Sequence, residues 1–135
     1  MMSALALRAG LDVRAAALRA PMVDLAEIAA SRPDMRAQFA ELMPDYGSDA
    51  DAALARRSAI RWLDDLRAPI LVLHGRLDQR IPVSQSKRLA KGLQSRGRVG
   101  ELVVYERESH LLLLHRPRYL AAMGRWFDHY ARWEP

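Results

Sequence analysis

Two residues in the C-terminal half of the chain, Asp78 and His110, are of the types and in the settings that acid–base chemistry needs. Residues 68–82 read APILVLHGRLDQRIP. Four consecutive apolar residues, Ile70 to Leu73, end at His74-Gly75, and a carboxylate follows three residues later at Asp78. Residues 101–110 read ELVVYERESH, a second apolar run leading to an imidazole. A carboxylate that accepts one ring N–H of a histidine orients the ring and stabilises its cation, while the other ring nitrogen takes and returns a proton. Each residue also has a reading without chemistry. An acid just past a strand-ending glycine is a common turn former, and His110 could be a loop histidine with no partner.

The remaining candidates are weaker. His115 lies five residues beyond His110, beside Arg116-Pro117, and competes with it as a base, but reads better as the N-terminal flank of the last helix. His74 sits inside a strand end and reads as a satisfied structural residue; His129, beside Asp128, reads as solvated. Four scattered histidines with neither an H-x-x-x-H nor an H-x-x-H pair, and no cysteine, give no expectation of a metal site. No Gly-rich phosphate loop is present, so no cofactor is expected. Ser84 and Ser86 are expected to cap the helix that follows them. None of the eight serines lies in a G-x-S-x-G, so no nucleophile is assigned.

Asp78 and His110 are far apart in sequence and can meet only if the strands before them lie side by side. Three segments suit strands: 13–20, bounded by Leu11-Asp12 and Pro21; 70–74; and 101–106. The apolar run at 70–73 is what a strand covered on both faces requires. Helical patterns fill the intervals. Residues 2–9 are stopped by Gly10. Residues 24–66 form a helical insertion, in which Ser31 and Ser48 each stand three residues before an acid as expected N-caps, with residues 44–47 (PDYG) as the turn between. Residues 84–96 are amphipathic, with Leu89 and Leu93 at i, i+4, and stop near Gly97. The last helix, 116–132, carries Tyr119, Leu120, Met123, Phe127 and Tyr130 as an expected core stripe. This alternation implies an α/β fold with about three parallel strands joined by right-handed crossovers. In such sheets ligands bind at the carboxyl ends of the strands, where Asp78 and His110 both fall.

Composition narrows the classes further. At 135 residues, 50% apolar and 27% charged, the chain is one domain's worth of ordinary globular sequence. The formal charge of +5 comes from 19 Arg and only 2 Lys beside 22 Ala, a bias that looks like a GC-rich coding background. The arginines are interleaved with Asp and Glu, so no nucleic-acid partner is expected. No run approaches the ~18 to 20 apolar residues of a membrane span, so no membrane partner is expected either. The first residues lack a basic region and meet Arg8 early, unlike a signal peptide, and the expected location is the cytoplasm.

The same residues carry a resemblance. PILVLHGRLDQRIPVSQSKRLAKGL, followed by ELVVYERESHLLL, resembles the C-terminal part of an α/β-hydrolase catalytic domain. It is most similar to the prolyl oligopeptidase family of serine peptidases, with its dipeptidyl- and acylaminoacyl-peptidase relatives. In that family an HG-x-x-D-x-x-V/I-P segment supplies the triad aspartate, and a later strand followed by a histidine supplies the base. The matching positions are Asp78 and His110. Ser109 and Leu111 depart from the small residues common around the family's histidine. The family's nucleophile elbow, G-x-S-x-G-G, is followed at once by a helix of small and apolar residues, and MMSALALRAGLDVRAAALRAPMVDL resembles that helix, the next strand and its loop.

The resemblance therefore implies a single C-terminal segment, 1–135, of an α/β-hydrolase domain, beginning just after the elbow. It implies hydrolysis of peptide or ester bonds through an acyl-enzyme, with acid and base present and the nucleophile and half the oxyanion hole absent. The chain as given is expected to be truncated or inactive. Two rivals stand beside this reading: a fragment of a small-molecule esterase or dienelactone-hydrolase-like enzyme, and a non-catalytic α/β interaction module. Strand 13–20 is expected to be an exposed sheet edge, open to self-association or to a missing N-terminal half.

Overall fold

A computed structural model describes residues 2–131. In chain order the elements are α1 (Met2–Arg8), β1 (Ala16–Arg19), α2 (Leu25–Ser31), α3 (Pro33–Leu42), α4 (Ala50–Arg57), two short 3₁₀ turns (Ala59–Arg61 and Leu63–Asp65), β2 (Ile70–Gly75), α5 (Val83–Gln94), β3 (Gly100–Tyr105) and α6 (Arg116–Tyr130). The three strands form one parallel sheet in the order β1-β2-β3. Ala16 pairs with Ile70 and Arg19 with Leu73; Ile70 pairs with Gly100 and Gly75 with Tyr105. The α/β architecture with three parallel strands flanked by helices is as the sequence pattern implies.

β2 is central, and all six of its residues are buried. Successive strand residues point to opposite faces, so its apolar run serves two cores at once. Ile70 and Val72 pack with Leu18, Leu89, Leu93, Trp62 and Leu66 on the side of α5 and the 3₁₀ turns. Leu71 and Leu73 pack with Tyr105, Leu112, Tyr119 and Trp126 on the side of α6. α5 spans 83–94 rather than 84–96. Gly97, at φ +66°, lets the N–H of Arg98 return to the carbonyl of Leu93, and the chain turns into β3. The helical insertion has its own core of Leu25, Ile28, Phe39, Met43 and Leu54. That core includes Ile81, which joins it to the turn after β2.

Several local expectations are corrected. β1 is four residues long rather than eight. Its partner β2 begins only at Ile70, so residues 13–15 have no strand to pair with, and Ala20 leaves the strand at φ +42°. β2 and β3 span 70–75 and 100–105 rather than 70–74 and 101–106. Ser31 does not cap α3. It is the last residue of α2, its hydroxyl donates to the carbonyls of Glu27 and Ile28, and Arg32 takes the cap position. The cap of α4 is Asp49, one residue past Ser48, with its carboxylate accepting the N–H of Ala52. On α6 the buried stripe is Tyr119, Ala122, Met123, Trp126 and Tyr130. Leu120 and Phe127 fall on the outer face, because the helix turns the i+1 positions of that stripe toward solvent.

Candidate functional site

Beyond Gly75 the chain makes a tight turn in which the N–H of Asp78 bonds the carbonyl of Gly75 at 3.2 Å. The two carboxylate oxygens of Asp78 then divide the work. Oδ1 accepts the backbone N–H groups of Arg80 at 2.8 Å and Ile81 at 2.9 Å, which is the behaviour of a turn-forming aspartate. Oδ2 lies 2.8 Å from Nδ1 of His110. Asp78 thus closes the turn with one oxygen and meets His110 with the other. The carboxylate is fully buried, while the His110 side chain is 30% exposed. Burial alone would raise the proton affinity of Asp78, but the N–H groups of Ile81, His110 and Arg80 outweigh it and hold the pKa below its usual value.

The His110 loop is held against the Asp78 turn by backbone and by shape. The N–H of Arg76 donates to the carbonyl of Tyr105 at 2.9 Å, and the N–H of Leu77 to the carbonyl of Glu108 at 2.8 Å. Gly75 makes the approach feasible: a Cβ there would stand 2.3 Å from the carbonyl oxygen of Ser109 and 2.4 Å from that of Glu108. The far side of the loop is clamped by Glu108, whose buried carboxylate accepts Nδ1 of His115 at 2.9 Å and the backbone N–H of the same residue. Leu112 turns the loop back at φ +54° and sinks its side chain completely into the α6-side core.

His74 also reaches Asp78. Its Nε2 is 3.1 Å from Oδ2 and 2.9 Å from the carbonyl of Ile81, and its Nδ1 is 2.6 Å from the hydroxyl of Ser86. The ring is wholly buried, and that desolvation lowers its pKa against the opposing pull of Ile81 and Asp78. Ser86 is therefore no helix cap. α5 begins at Val83 behind Pro82 without a side-chain cap, because the Ser86 hydroxyl is turned inward to His74. Ser84 is exposed on the same helix. His115 is the cap-position residue of α6, and His129 is exposed.

Two functional-site contributors escaped the sequence reading. Glu108 is an acid buried between a strand end and two histidines, and its seven-residue offset from His115 carries no simple periodic signal. Gln85 is wholly buried, and its side-chain oxygen accepts the N–H groups of Val23 at 2.8 Å and Asp24 at 2.9 Å. It fixes the chain leaving β1 to the start of α5. The His74–Asp78 contact had a legible signal in the H-G-x-x-D spacing, an i, i+4 pair across a turn.

Nε2 of His110 makes no hydrogen bond to any described residue, and His110 remains partly open to solvent. The arrangement can orient an imidazole, stabilise it as a cation, and present the opposite nitrogen to a reacting proton. A groove of about 630 Å³ between β3 and α6, lined by Tyr105, Arg118, Arg125 and Trp126 among others, contains neither Asp78 nor His110.

The chain matches the prolyl oligopeptidase family over residues 1–133. It belongs to that family. Among individual relatives it is 31% identical over 77 residues to an uncharacterized peptidase of Bacillus subtilis, covering 53% of this chain and 12% of that one. It is also 31% identical over 88 residues to a protein assigned as a carboxymethylenebutenolidase in Methylorubrum extorquens, covering 58% and 30%. The acylaminoacyl peptidase of Pyrococcus horikoshii superposes with a TM-score of 0.81 at 17% identity, covering 94% of this chain and 22% of that one. That likeness establishes the α/β-hydrolase fold. The chain spans less than a third of the length of each of these three proteins. Membership of the prolyl oligopeptidase family and the neighbouring enzymes make hydrolase chemistry the activity that this chain resembles.

Proposed function

We propose that Asp78 and His110 are the acid and base of a Ser-His-Asp hydrolase that cleaves peptide bonds through an acyl-enzyme. The observation that carries this is the 2.8 Å contact between a buried carboxylate and Nδ1 of a partly exposed imidazole whose Nε2 bonds none of the described residues. His110 takes the proton of an attacking hydroxyl at Nε2 and returns it to the leaving amine, while Asp78 holds the ring and its cation. The hydroxyl comes from outside these 135 residues: no G-x-S-x-G is present, and no serine hydroxyl bonds His110 among the described residues. Family membership and a peptidase among the relatives support the peptide reading.

The test has two parts. The 135-residue chain alone is expected to resist labelling by a serine-directed fluorophosphonate and to cleave activated esters no faster than its Asp78→Ala, His110→Ala variant. If the coding sequence continues upstream of Met1 in frame, it is expected to encode G-x-S-x-G-G, and the longer product to hydrolyse peptidyl anilides with a kcat that falls ~10⁶-fold in His110→Ala. Stoichiometric labelling of a serine in the short chain would falsify the missing-nucleophile reading. An upstream sequence without the elbow favours the interaction module. A second reading, ester or lactone hydrolysis, is supported by the carboxymethylenebutenolidase relative, and preference of the longer product for esters over anilides selects it.

The same reading assigns a partner to β1. Its outer edge has no strand beside it among the described residues, and its one neighbour is β2. In the proposed enzyme that edge pairs with the strand leading to the nucleophile; in the isolated chain it is a template for a second copy. Light scattering after size exclusion is expected to show association of the isolated chain, and a cooperatively melting monomer overturns this.

A further inference from the structure

His74, the buried histidine at the end of β2, stands apart from the acid–base pair in sequence reasoning but not in space. For a neutral ring its hydrogen-bond pattern has one consistent solution. Nε2 faces two acceptors, the carbonyl oxygen of Ile81 at 2.9 Å and Oδ2 of the ionised Asp78 at 3.1 Å, so Nε2 carries the hydrogen. Nδ1 is then the acceptor, and the Ser86 hydroxyl at 2.6 Å donates to it. All three side chains, His74, Ser86 and Asp78, are closed to solvent. Ser86 donates to His74, His74 donates to the Ile81 carbonyl with its Nε2 edge against Oδ2 of Asp78, and His110 bonds the same oxygen.

From this juxtaposition we propose that His74 is a positioning residue for the acid–base pair, sharing Oδ2 of Asp78 with His110 and so setting how strongly the carboxylate holds the His110 imidazolium. The proposal rests on the assignment of Asp78 and His110 as acid and base. Three N–H donors bond the carboxylate, Arg80 and Ile81 on Oδ1 and His110 on Oδ2, and Nε2 of His74 lies 3.1 Å from Oδ2. Held in this way on both oxygens, Asp78 is kept from rotating away from His110. The His74 contact matters because it lies on the oxygen that faces the base. Drawing charge from Oδ2 tempers its attraction for the imidazolium, which eases return of the proton to a leaving group.

The groups that face this centre are few. His74 comes from β2, Asp78 and the Ile81 and Arg80 backbone from the turn, Ser86 from α5 and His110 from the loop after β3. The Arg32 guanidinium bonds the carbonyl of Arg80 at 3.2 Å and is paired with Asp34. Histidine titrations followed by NMR on the full chain therefore read the centre directly. Asp78→Asn serves as the reference and lowers the proton affinity of His110. In His74→Phe, the freed Oδ2 binds the imidazolium more tightly, and the affinity of His110 for its proton rises roughly three- to tenfold. His74→Gln, which keeps an N–H donor, stays within about twofold of the parent.

If Asp78→Asn lowers the affinity and His74→Phe leaves it unchanged, His74 is packing alone and the proposal fails while the acid–base assignment survives. If neither moves it, the assignment itself falls. The parent chain supplies a measurement that does not depend on a folded variant. Ring ¹⁵N shifts of His74 should show the Nε2–H tautomer without titration while the chain is folded. The Nδ1–H tautomer, or an ordinary titration, overturns the proposal.

Discussion

Two acid–imidazole pairs stand a few residues apart in this chain and differ little by distance. Asp78 and His110 are 2.8 Å apart, Glu108 and His115 2.9 Å. Both acids are closed to solvent, and both histidine side chains are partly exposed, 30% and 24%. What separates them is where their remaining hydrogen-bonding capacity goes. Glu108 spends its carboxylate on both the ring and the backbone N–H of His115, and the ring of His115 leans on that of Tyr105 at 5.6 Å. That pair ties the two ends of one loop together and starts α6. Asp78 instead joins two loops from different strands, with His74 of β2 against the same carboxylate oxygen. A short carboxylate–histidine contact is therefore no mark of chemistry in itself; the joining of the β2 and β3 loops at the carboxyl edge of the sheet is what distinguishes the candidate site.

The strongest way to break this contrast is through stability, where the two pairs should differ in how much they contribute. Removing Glu108 by Glu108→Ala leaves a buried void and strips two N–H groups of their acceptor, at a cost of about 2 to 4 kcal/mol. His115→Ala leaves the Glu108 carboxylate without its ring partner and is expected to cost roughly 1 to 2 kcal/mol. His110→Ala removes a partly exposed side chain whose only hydrogen bond among the described residues is to an aspartate already held by two backbone N–H groups, and should stay within about 1 kcal/mol of the parent. Urea denaturation of the three variants ranks them. A His110 variant as damaging as the Glu108 one would make the loop histidine a structural tie and erase the distinction between the pairs.

The distinction was partly legible in the sequence. The apolar run of β2, the glycine behind it and the acid three residues on placed Asp78 at the sheet edge, and the run ELVVY placed His110 beside it, because strand periodicity and parallel topology are written locally. The supports were not. Glu108, Gln85 and Ser86 act through neighbours distant in sequence, and a buried polar residue looks the same in a sequence as an exposed one. Ser86 was read as a cap because serine favours caps; the tertiary partner, a buried histidine lacking a donor for Nδ1, outcompetes that preference. Similarly, the eight-residue apolar stretch 13–20 implied a long strand, but a strand can be no longer than the partner edge it pairs with, and β2 offers β1 only residues 70–73.

A finer contrast concerns acid. His74 is buried with its pKa below the ordinary 6.5, the cause being desolvation. As the pH falls through about 6.5 the unfolded chain protonates this histidine and the folded chain does not. The unfolded state thus binds more protons, and stability declines from that point down to the folded pKa, with a slope of at most about 1.4 kcal/mol per pH unit. Asp78 acts in the same direction in a lower window. Its folded pKa lies below 3.8, so its contribution is complete above that value and is lost as the pH falls through the folded pKa. Other carboxylates share that lower window: hydrogen bonds from Arg32, Arg57 and Arg76 hold Asp34, Asp45 and Glu106 low as well. The upper window is where His74 can be isolated. Urea midpoints measured at pH 7.5 and 5.5 should fall for the parent chain and fall less for His74→Gln, which has no proton to gain. Equal losses in the two proteins would mean that His74 is free to charge in the folded state, and that its hydrogen to Asp78 is not fixed by burial.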